Sequence, residues 1–137
     1  MNIMQISESH PVIVYDGYCL LCDRIIQFVL KADKKERFRF CTLEYFCTLY
    51  PDQAQKDRVM LLYHHRMSFG SDAAIDIMRE LGGVNRLFSV VASFFPHVLR
   101  EWVYQFIAAR RYAWFGKSHT CIMPPTAWKS KFLDNQL

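Results

Sequence analysis

A short apolar run that leads directly into two cysteines and then into a helical pattern constrains the fold of this chain most strongly. The run VIVYD, Val12 to Asp16, is β-branched and almost wholly apolar, which is typical of a strand covered on both faces. After the turn pair Asp16-Gly17, apolar residues recur at helical spacing and charged residues take the other side. We therefore predict a buried strand followed by an amphipathic helix that begins at or beside Cys19, with its apolar face formed by Leu21, Ile25, Phe28, Val29 and Ala32.

The next segments predict a second strand and then a hairpin. RFRFCTL, Arg37 to Leu43, alternates as a strand does, and a strand, a helix and a second strand form a βαβ unit whose strands pair in parallel. An irregular or short helical connection, YFCTLYPDQAQK, leads to two further strands, Arg58 to Tyr63 and Met67 to Phe69. A tight turn at His64 and His65 joins these strands.

A third helical pattern follows the hairpin. Ser71 is the predicted N-cap of DAAIDIMREL, and Gly82 and Gly83 end this helix. The predicted order is then β-α-β-(α)-β-β-α, which is the order of the thioredoxin fold. We predict an α/β thioredoxin-like core over 11–83, followed by a helical extension and tail over 84–137.

The helical extension has two predicted segments, Leu87 to Phe95 and the run HVLREWVYQFIAARRYAW after Pro96. Basic and aromatic residues mix near its end, and such a mixture suits nucleic-acid or membrane surfaces as well as an ordinary packed helix. Because the net charge is only +4, we favour a helix that packs its aromatics on the sheet and keeps its arginines in solvent. The residues concerned are Tyr104, Arg110, Arg111, Tyr112, Trp114 and Phe115.

Length and composition indicate one ordered domain. A chain of 137 residues with 52% hydrophobic content is long enough for a single core and too short for two ordinary domains. The N-terminal segment lacks the pattern of a secretory signal. The longest apolar run, Leu87 to Phe95, falls well short of the roughly 20 residues that a spanning helix needs, so we expect a soluble, cytoplasmic protein.

Five cysteines cannot all pair within one chain, and two of them, Cys19 and Cys22, lie three positions apart. They are a redox pair, half of a metal site, or two buried small hydrophobes. The thioredoxin fold carries a CxxC pair where its first strand passes into its first helix, which is the position found here. Zinc is disfavoured because a structural zinc site normally takes two close ligand pairs, and the sequence has only one.

The remaining cysteines carry weaker signals. Cys41 lies in a predicted strand, where a buried hydrophobe is the common outcome. Cys47 falls in the connection after that strand and has no metal-ligand spacing with Cys41. Cys121 lies in the tail, where we favour packing over a third redox thiol.

The spacing assigns a chemical role to each residue of the pair. A thiol at a helix N-terminus meets unpaired N–H groups, which lower its pKa from about 8.5 to about 3.5–7.5, so Cys19 is the predicted nucleophile. Cys22 comes round to the same side one helical turn later and is the predicted resolving thiol. Asp16 either accepts the proton of Cys22 during resolution or forms the turn with Gly17 or caps the helix.

These residues resemble the DCC family of thiol-disulfide oxidoreductases, which is named for a D-x-x-C-x-x-C signature. The signature matches Asp16, Cys19 and Cys22 in YDGYCLLC. The segments FRFCTLE and SDAAIDIMRELGG also look like the family, as does the block FFPHVLREWVYQFIAARRYAWFGK followed by Cys121 and Pro124. The resemblance implies dithiol-disulfide exchange on a thioredoxin-like scaffold. One departure is the lack of a proline around Asp57-Arg58, where most thioredoxin-like proteins place one, and this argues against a thioredoxin-like mode of peptide binding.

We therefore predict an enzyme that exchanges a dithiol for a disulfide through Cys19 and Cys22, without a cofactor or metal. Its expected partners are a disulfide- or thiol-containing protein or small molecule and an electron donor. No nucleic-acid partner is expected, and peripheral membrane contact is not favoured. The alternative is a non-catalytic thioredoxin-like module that docks a protein or a membrane through its C-terminal helices.

Overall fold

A computed structural model describes residues 3–16, 20–50, 59–64 and 66–116 of the chain. The strands and helices follow the predicted order, with one short helix added before the first strand. Their bounds are α1 Ile3–Ile6, β1 Val12–Tyr15, α2 Leu20–Ala32, β2 Arg39–Thr42, α3 Leu43–Leu49, β3 Met60–Tyr63, β4 Arg66–Phe69, α4 Gly70–Leu81, α5 Gly83–Ser93 and α6 His97–Phe115.

The four strands form one mixed sheet in the order β2-β1-β3-β4. β1 and β2 pair in parallel, with Ile13 opposite Phe40, which confirms the predicted βαβ unit. β3 runs antiparallel to β1 and to β4. The sheet and its helices confirm the predicted α/β class with a thioredoxin-like arrangement and C-terminal helices.

Helices cover both faces of the sheet. Successive side chains of a strand point to opposite sides, so the apolar strands contribute to a core on each face. On one face the strands pack against α2 and α4, and Phe38, Phe40 and Ile77 belong to this cluster. On the other face they pack against α1 and α3, where Cys41 and Phe46 are buried. β1 is buried along its whole length, as its unbroken apolar run predicts.

The buried face of α2 differs from the predicted one. Ile26, Val29 and Leu30 face the sheet, whereas Ile25 and Phe28 are about half exposed. Cys22 lies on the sheet-facing side, one turn before Ile26. The buried stripe of α2 is therefore displaced by about one residue from the predicted stripe. The observed and the predicted stripes are both apolar, so the pattern alone does not show which of them faces the sheet.

The start of α4 also corrects a prediction. Phe69 occupies the N-cap position and Ser71 lies inside the first turn, so Ser71 is not the cap. The Ser71 backbone N–H and hydroxyl both donate to Glu101 of α6 instead, at 3.1 and 2.8 Å. At the other end Gly82, with φ +74°, ends α4 as predicted, and α5 begins at the next residue.

The packing of α6 agrees with the prediction only in part: Tyr104 and Tyr112 contact the domain and Arg110 is exposed, as predicted, but other residues differ. Trp102 and Trp114 are exposed, whereas Arg111 is buried. The domain-facing side of α6 is polar and includes Arg111 and Tyr104, whose hydroxyl accepts the Val59 N–H at 2.8 Å. Among the described helices, none has the length and apolar character that crossing a bilayer requires.

Candidate active site at the end of β1

The site is built where the central strand β1 ends and α2 begins. Asp16 follows the last residue of β1, and Cys22 is the third residue of α2. Cys22 is half-buried and packs against the core cluster on the α2 side of the sheet. Cys19, the predicted nucleophile, lies outside the described residues, as does Gly17, the predicted turn partner of Asp16.

Asp16 binds two consecutive residues of α6. The Tyr112 hydroxyl donates a hydrogen bond to Asp16 Oδ2, and Arg111 Nη2 lies 3.5 Å from the same oxygen. The Asp16 side chain is 16% exposed and that of Arg111 is 8% exposed. This largely desolvated pair ties the end of α6 to the end of β1, a role that neither prediction for Asp16 included.

Arg111 and Tyr112 also contact each other. Arg111 Nη2 donates to the Tyr112 hydroxyl at 3.3 Å, and Nη1 donates to the Ala108 carbonyl at 3.0 Å. The guanidinium carbon lies 4.6 Å from the centre of the Tyr112 ring. These contacts hold the cation beside the carboxylate in one orientation.

The pKa of Tyr112 is raised to about 12, first because the phenol is desolvated and second because it donates to the Asp16 carboxylate. Arg111 acts in the opposite direction and is outweighed. Tyr112 is therefore protonated at neutral pH, as its hydrogen bond to Asp16 requires.

A largely apolar cavity of about 530 Å³ adjoins both Asp16 and Cys22. It lies between α2, α4, α5 and α6, and Ile25 and Phe28, the half-exposed residues of α2, form part of its wall. Phe88 of α5 and Ile107 of α6 also line it. The cavity gives an apolar group direct access to the side of the site on which Cys22 lies.

The other described cysteines lie away from this cavity. Cys41 is fully buried in the cluster with α1 and α3, which confirms its prediction as a packed residue. Cys47 is half-buried at the edge of the same cluster. Cys121 lies outside the described residues. In the part of the chain that the structure describes, no three His, Cys, Asp or Glu side chains are placed to hold a metal ion.

Sequence reasoning missed Arg111 and Tyr112 as members of the site. A signal was present, because Tyr104, Ala108, Arg111 and Tyr112 recur at intervals of three and four and share one side of the helix. The prediction placed the tyrosines on the sheet side but kept Arg111 in solvent, where the arginines of an amphipathic helix usually lie. What reverses the expectation for Arg111 is Asp16, which lies 96 positions before Tyr112 in the chain.

Comparison with known proteins bears on the family of this chain. The family model described as DCC1-like thiol-disulfide oxidoreductase matches residues 13–117. The chain is 35% identical to the uncharacterized protein YuxK of Bacillus subtilis over 135 residues, covering 93% of this chain and 98% of the relative. It is 28% identical over 120 residues to a chloroplastic DCC family protein of Arabidopsis thaliana, covering 83% of this chain and 70% of the relative. No solved structure matches significantly.

The matched region spans β1 from its second residue, the other three strands, Asp16, both cysteines of the CxxC pair and the whole of α6. It therefore includes the elements that build the site as well as the signature itself. A general thiol-disulfide redox role follows from the family that this match identifies. The chain belongs to the DCC1-like thiol-disulfide oxidoreductase family.

Proposed function

We propose that this protein is a thiol-disulfide oxidoreductase in which Cys19 is the nucleophile and Cys22 the resolving thiol. The observation that carries the proposal is that Cys22, in the first turn of α2, and Asp16, at the end of β1, line one cavity. Cys19 immediately precedes the first residue of α2 in the sequence, where the N-terminus of a helix favours a thiolate.

In the proposed reaction the Cys19 thiolate attacks one sulfur of a substrate disulfide. A mixed disulfide forms, and the other substrate sulfur leaves as a thiolate. Cys22 then loses its proton and attacks the sulfur of Cys19, which releases the second substrate thiolate. The substrate gains two electrons and the protein is left with a Cys19-Cys22 disulfide. A second dithiol reduces that disulfide, so the reaction requires no organic cofactor or metal.

The apolar cavity supports a substrate that presents an apolar group beside its sulfur. Its wall is formed largely by aliphatic and aromatic side chains, including Ile25, Phe28 and Met78. Such a wall binds apolar groups by removing them from water. The substrate is a disulfide- or thiol-containing protein or small molecule. A cytoplasmic location stays a prediction.

The first experiment is a redox titration of the full chain in glutathione buffers, read by thiol alkylation and mass spectrometry. We expect one reversible two-electron transition that belongs to Cys19 and Cys22. In Cys22→Ser, resolution is blocked, so mixed disulfides should accumulate on Cys19. Cys47→Ser is the matched control, because Cys47 lies on the other side of the sheet, and it should titrate as the unaltered protein does.

The proposal fails if Cys19 and Cys22 form no disulfide at any potential that the buffer reaches. It also fails if Cys47→Ser abolishes the transition, since the reactive pair would then include Cys47. If mixed disulfides accumulate on Cys19 to the same extent in the unaltered protein and in Cys22→Ser, Cys22 is not the resolving thiol.

Asp16 is the proposed proton acceptor for Cys22. We expect Asp16→Asn to lengthen the lifetime of the mixed disulfide by about a hundred-fold, which is a typical contribution of a positioned proton acceptor. The lifetime is measured by quenching single turnovers with acid and separating the adducts. Tyr112→Phe is the control, because it removes a hydrogen bond to Asp16 and keeps the carboxylate.

The Asp16→Asn protein must be assayed where it is folded, because the substitution leaves the Arg111 cation buried beside a neutral amide. Circular dichroism checks this condition before the kinetics. If folded Asp16→Asn resolves the mixed disulfide at the unaltered rate, Asp16 is not the proton acceptor and its role is limited to holding α6 against β1.

A further inference from the structure

The two C-terminal helices turn their apolar residues away from the domain. On α6 the domain-facing side carries Arg100, Glu101, Tyr104 and Arg111, each bonded to a group in another part of the domain. The opposite side carries exposed apolar side chains from Val98 to Trp114. We call the exposed apolar side chains of this region the outer apolar face: Val84, Leu87, Phe88, Val90, Val91, Phe94, Phe95, Val98, Leu99, Trp102, Val103, Phe106, Ile107 and Trp114.

The α5 helix likewise buries a polar residue and exposes apolar residues. Its fully buried residue is Ser89, whereas Val84 and Leu87 are 68% and 63% exposed. The link between the helices continues the pattern, because Phe94 is 83% exposed at the end of α5. The sections of the face on α5 and α6 adjoin at the apolar cavity, which Phe88 and Ile107 both line.

The exposed apolar side chains of this region are concentrated on two helices and are not scattered singly over the surface. Fourteen large apolar side chains, each at least 39% exposed, form the outer apolar face. A concentration of exposed apolar side chains of this kind marks an interaction site.

The charges of the region from Gly83 to Gly116 indicate which kind of partner binds the outer apolar face. From Gly83 to Gly116 the sequence has four arginines and one acidic residue, Glu101. Glu101 points at the start of α4, where it binds Ser71. Among the Arg and Glu side chains of α5 and α6, only those of Arg86 and Arg110 are exposed. An apolar face with cations and without exposed acids complements an apolar surface with a negative charge.

We propose that α5 and α6 dock the protein on the surface of an anionic lipid bilayer, with the outer apolar face in the interfacial region. Exposed Trp102 and Trp114 suit this location, because tryptophan favours the boundary between headgroups and acyl chains. The arrangement is peripheral, in keeping with the lack of a helix able to span a bilayer among the described elements.

A second copy of the chain fits the same face less well. In a twofold dimer the same patch faces itself, so Arg86 and Arg110 would meet another cationic face without an acid to pair with. A bilayer that contains anionic lipid provides the missing charge. The proposal goes beyond disulfide exchange and does not depend on it, since the docking face includes neither cysteine of the CxxC pair.

The test is flotation of the full chain with vesicles of phosphatidylcholine alone or mixed with phosphatidylglycerol. We expect binding to the mixed vesicles that weakens when salt is added, with a blue shift of tryptophan emission. Phe106→Asp should weaken binding by about ten-fold or more, because it places a charge in the buried side of the docked helix. Ser9→Asp is the matched control, since Ser9 is exposed and lies near α1.

A second pair of variants tests the charge. Arg110→Gln should weaken binding to the mixed vesicles by about five-fold. Lys34→Gln lowers the net charge equally at an exposed position after α2 and should have a much smaller effect. Cys22→Ser should bind as the unaltered protein does, which separates docking from the redox chemistry.

Folded protein that floats with neither kind of vesicle would overturn the proposal, and a stable dimer under those conditions would assign the face to a second copy. Equal loss of binding in Phe106→Asp and Ser9→Asp would also overturn it, because the site of contact would then lie elsewhere. Equal binding to vesicles with and without phosphatidylglycerol would show that the outer apolar face does not select anionic lipid, which contradicts that part of the proposal.

Discussion

Asp33, which follows α2, accepts hydrogen bonds from the backbone N–H groups of Arg37, at 3.1 Å, and Phe38, at 2.9 Å. Its side chain is buried, and so is the N–H of Phe38. One carboxylate thereby satisfies two donors in the turn that brings the chain from α2 into β2, and it fixes where Phe38 enters the core.

We expect Asp33→Ala to lower the free energy of unfolding by about 3 kcal/mol, because it leaves two donors to a charged group unsatisfied. Urea denaturation monitored by circular dichroism measures the change. Asp33→Asn keeps one acceptor oxygen and should lose less. Lys34→Ala, at the exposed neighbouring position, serves as the control, and an equal loss there would show that the turn depends on something other than the carboxylate.

Tyr112 makes stability depend on pH in the alkaline range. Its pKa in the folded protein is about 12, above the usual value of about 10. Between these values the unfolded chain loses the phenol proton before the folded chain does, so this contribution to stability is present below pH 10 and is lost as the pH rises towards 12. Ionised Tyr112 could no longer donate to Asp16.

We expect the unaltered protein to lose more stability between pH 10 and 12 than Tyr112→Phe does. Urea denaturation at several pH values gives the two slopes. The other tyrosines are common to both proteins, so the difference between the slopes isolates Tyr112. Parallel slopes would mean that Tyr112 ionises alike in the folded and unfolded chains.

At the scale of elements, α6 is held on the domain by polar contacts at both ends. Near its start, Arg100 Nη1 lies 3.0 Å from Asp72 Oδ1, and Glu101 binds the N–H and hydroxyl of Ser71 in the first turn of α4. Near its end, Arg111 and Tyr112 bind Asp16. The negative Glu101 also suits the positive end of the α4 dipole.

We expect Glu101→Ala to lower the free energy of unfolding by about 2 kcal/mol, since Ser71 loses its acceptor. The loss should be local, so amide hydrogens of α6 should exchange faster while those of β1 keep their protection. Native-state hydrogen exchange with mass spectrometry distinguishes these segments. Glu101→Gln retains an acceptor oxygen and should keep most of the protection; faster exchange in both segments would show that α6 does not open separately.

At the scale of the whole molecule, the sheet has a core on each face and α5 and α6 outside one of them. Phe40 is fully buried between the sheet and the layer of α2 and α4. All three tryptophans, at positions 102, 114 and 128, lie in the predicted helical extension and tail. Tryptophan fluorescence therefore reports on the extension, whereas far-ultraviolet circular dichroism reports on every helix and strand.

If residues 1–137 form the single domain that we predict, Phe40→Ala should shift both signals together. We expect a loss of about 3–5 kcal/mol, which is typical of removing a buried phenylalanine. Coincident urea transitions by the two probes would agree with one cooperative unit. A fluorescence transition that stays in place while the circular dichroism transition moves would make the extension a separate unit.

The sequence by itself determined the order of the elements, the buried central strand and the parallel βαβ unit. These follow from local information: β1 is apolar throughout and is buried throughout, and Gly82 ends α4 at a positive φ that suits glycine. The sequence also placed Asp16 and Cys22 at the strand-to-helix junction, which the structure keeps. Periodicity likewise identified α2, α5 and α6 as helices.

Only the tertiary structure decided which side of a helix faces inward. Periodicity shows which residues share a side of α6, but it does not show that the polar side is the one with partners. Those partners lie far away in the sequence: Asp16 is 96 positions from Tyr112, and Asp72 is 28 positions from Arg100. Because such distant charges and hydrogen-bond acceptors turn the polar residues of α6 towards the domain, its apolar residues remain on the surface.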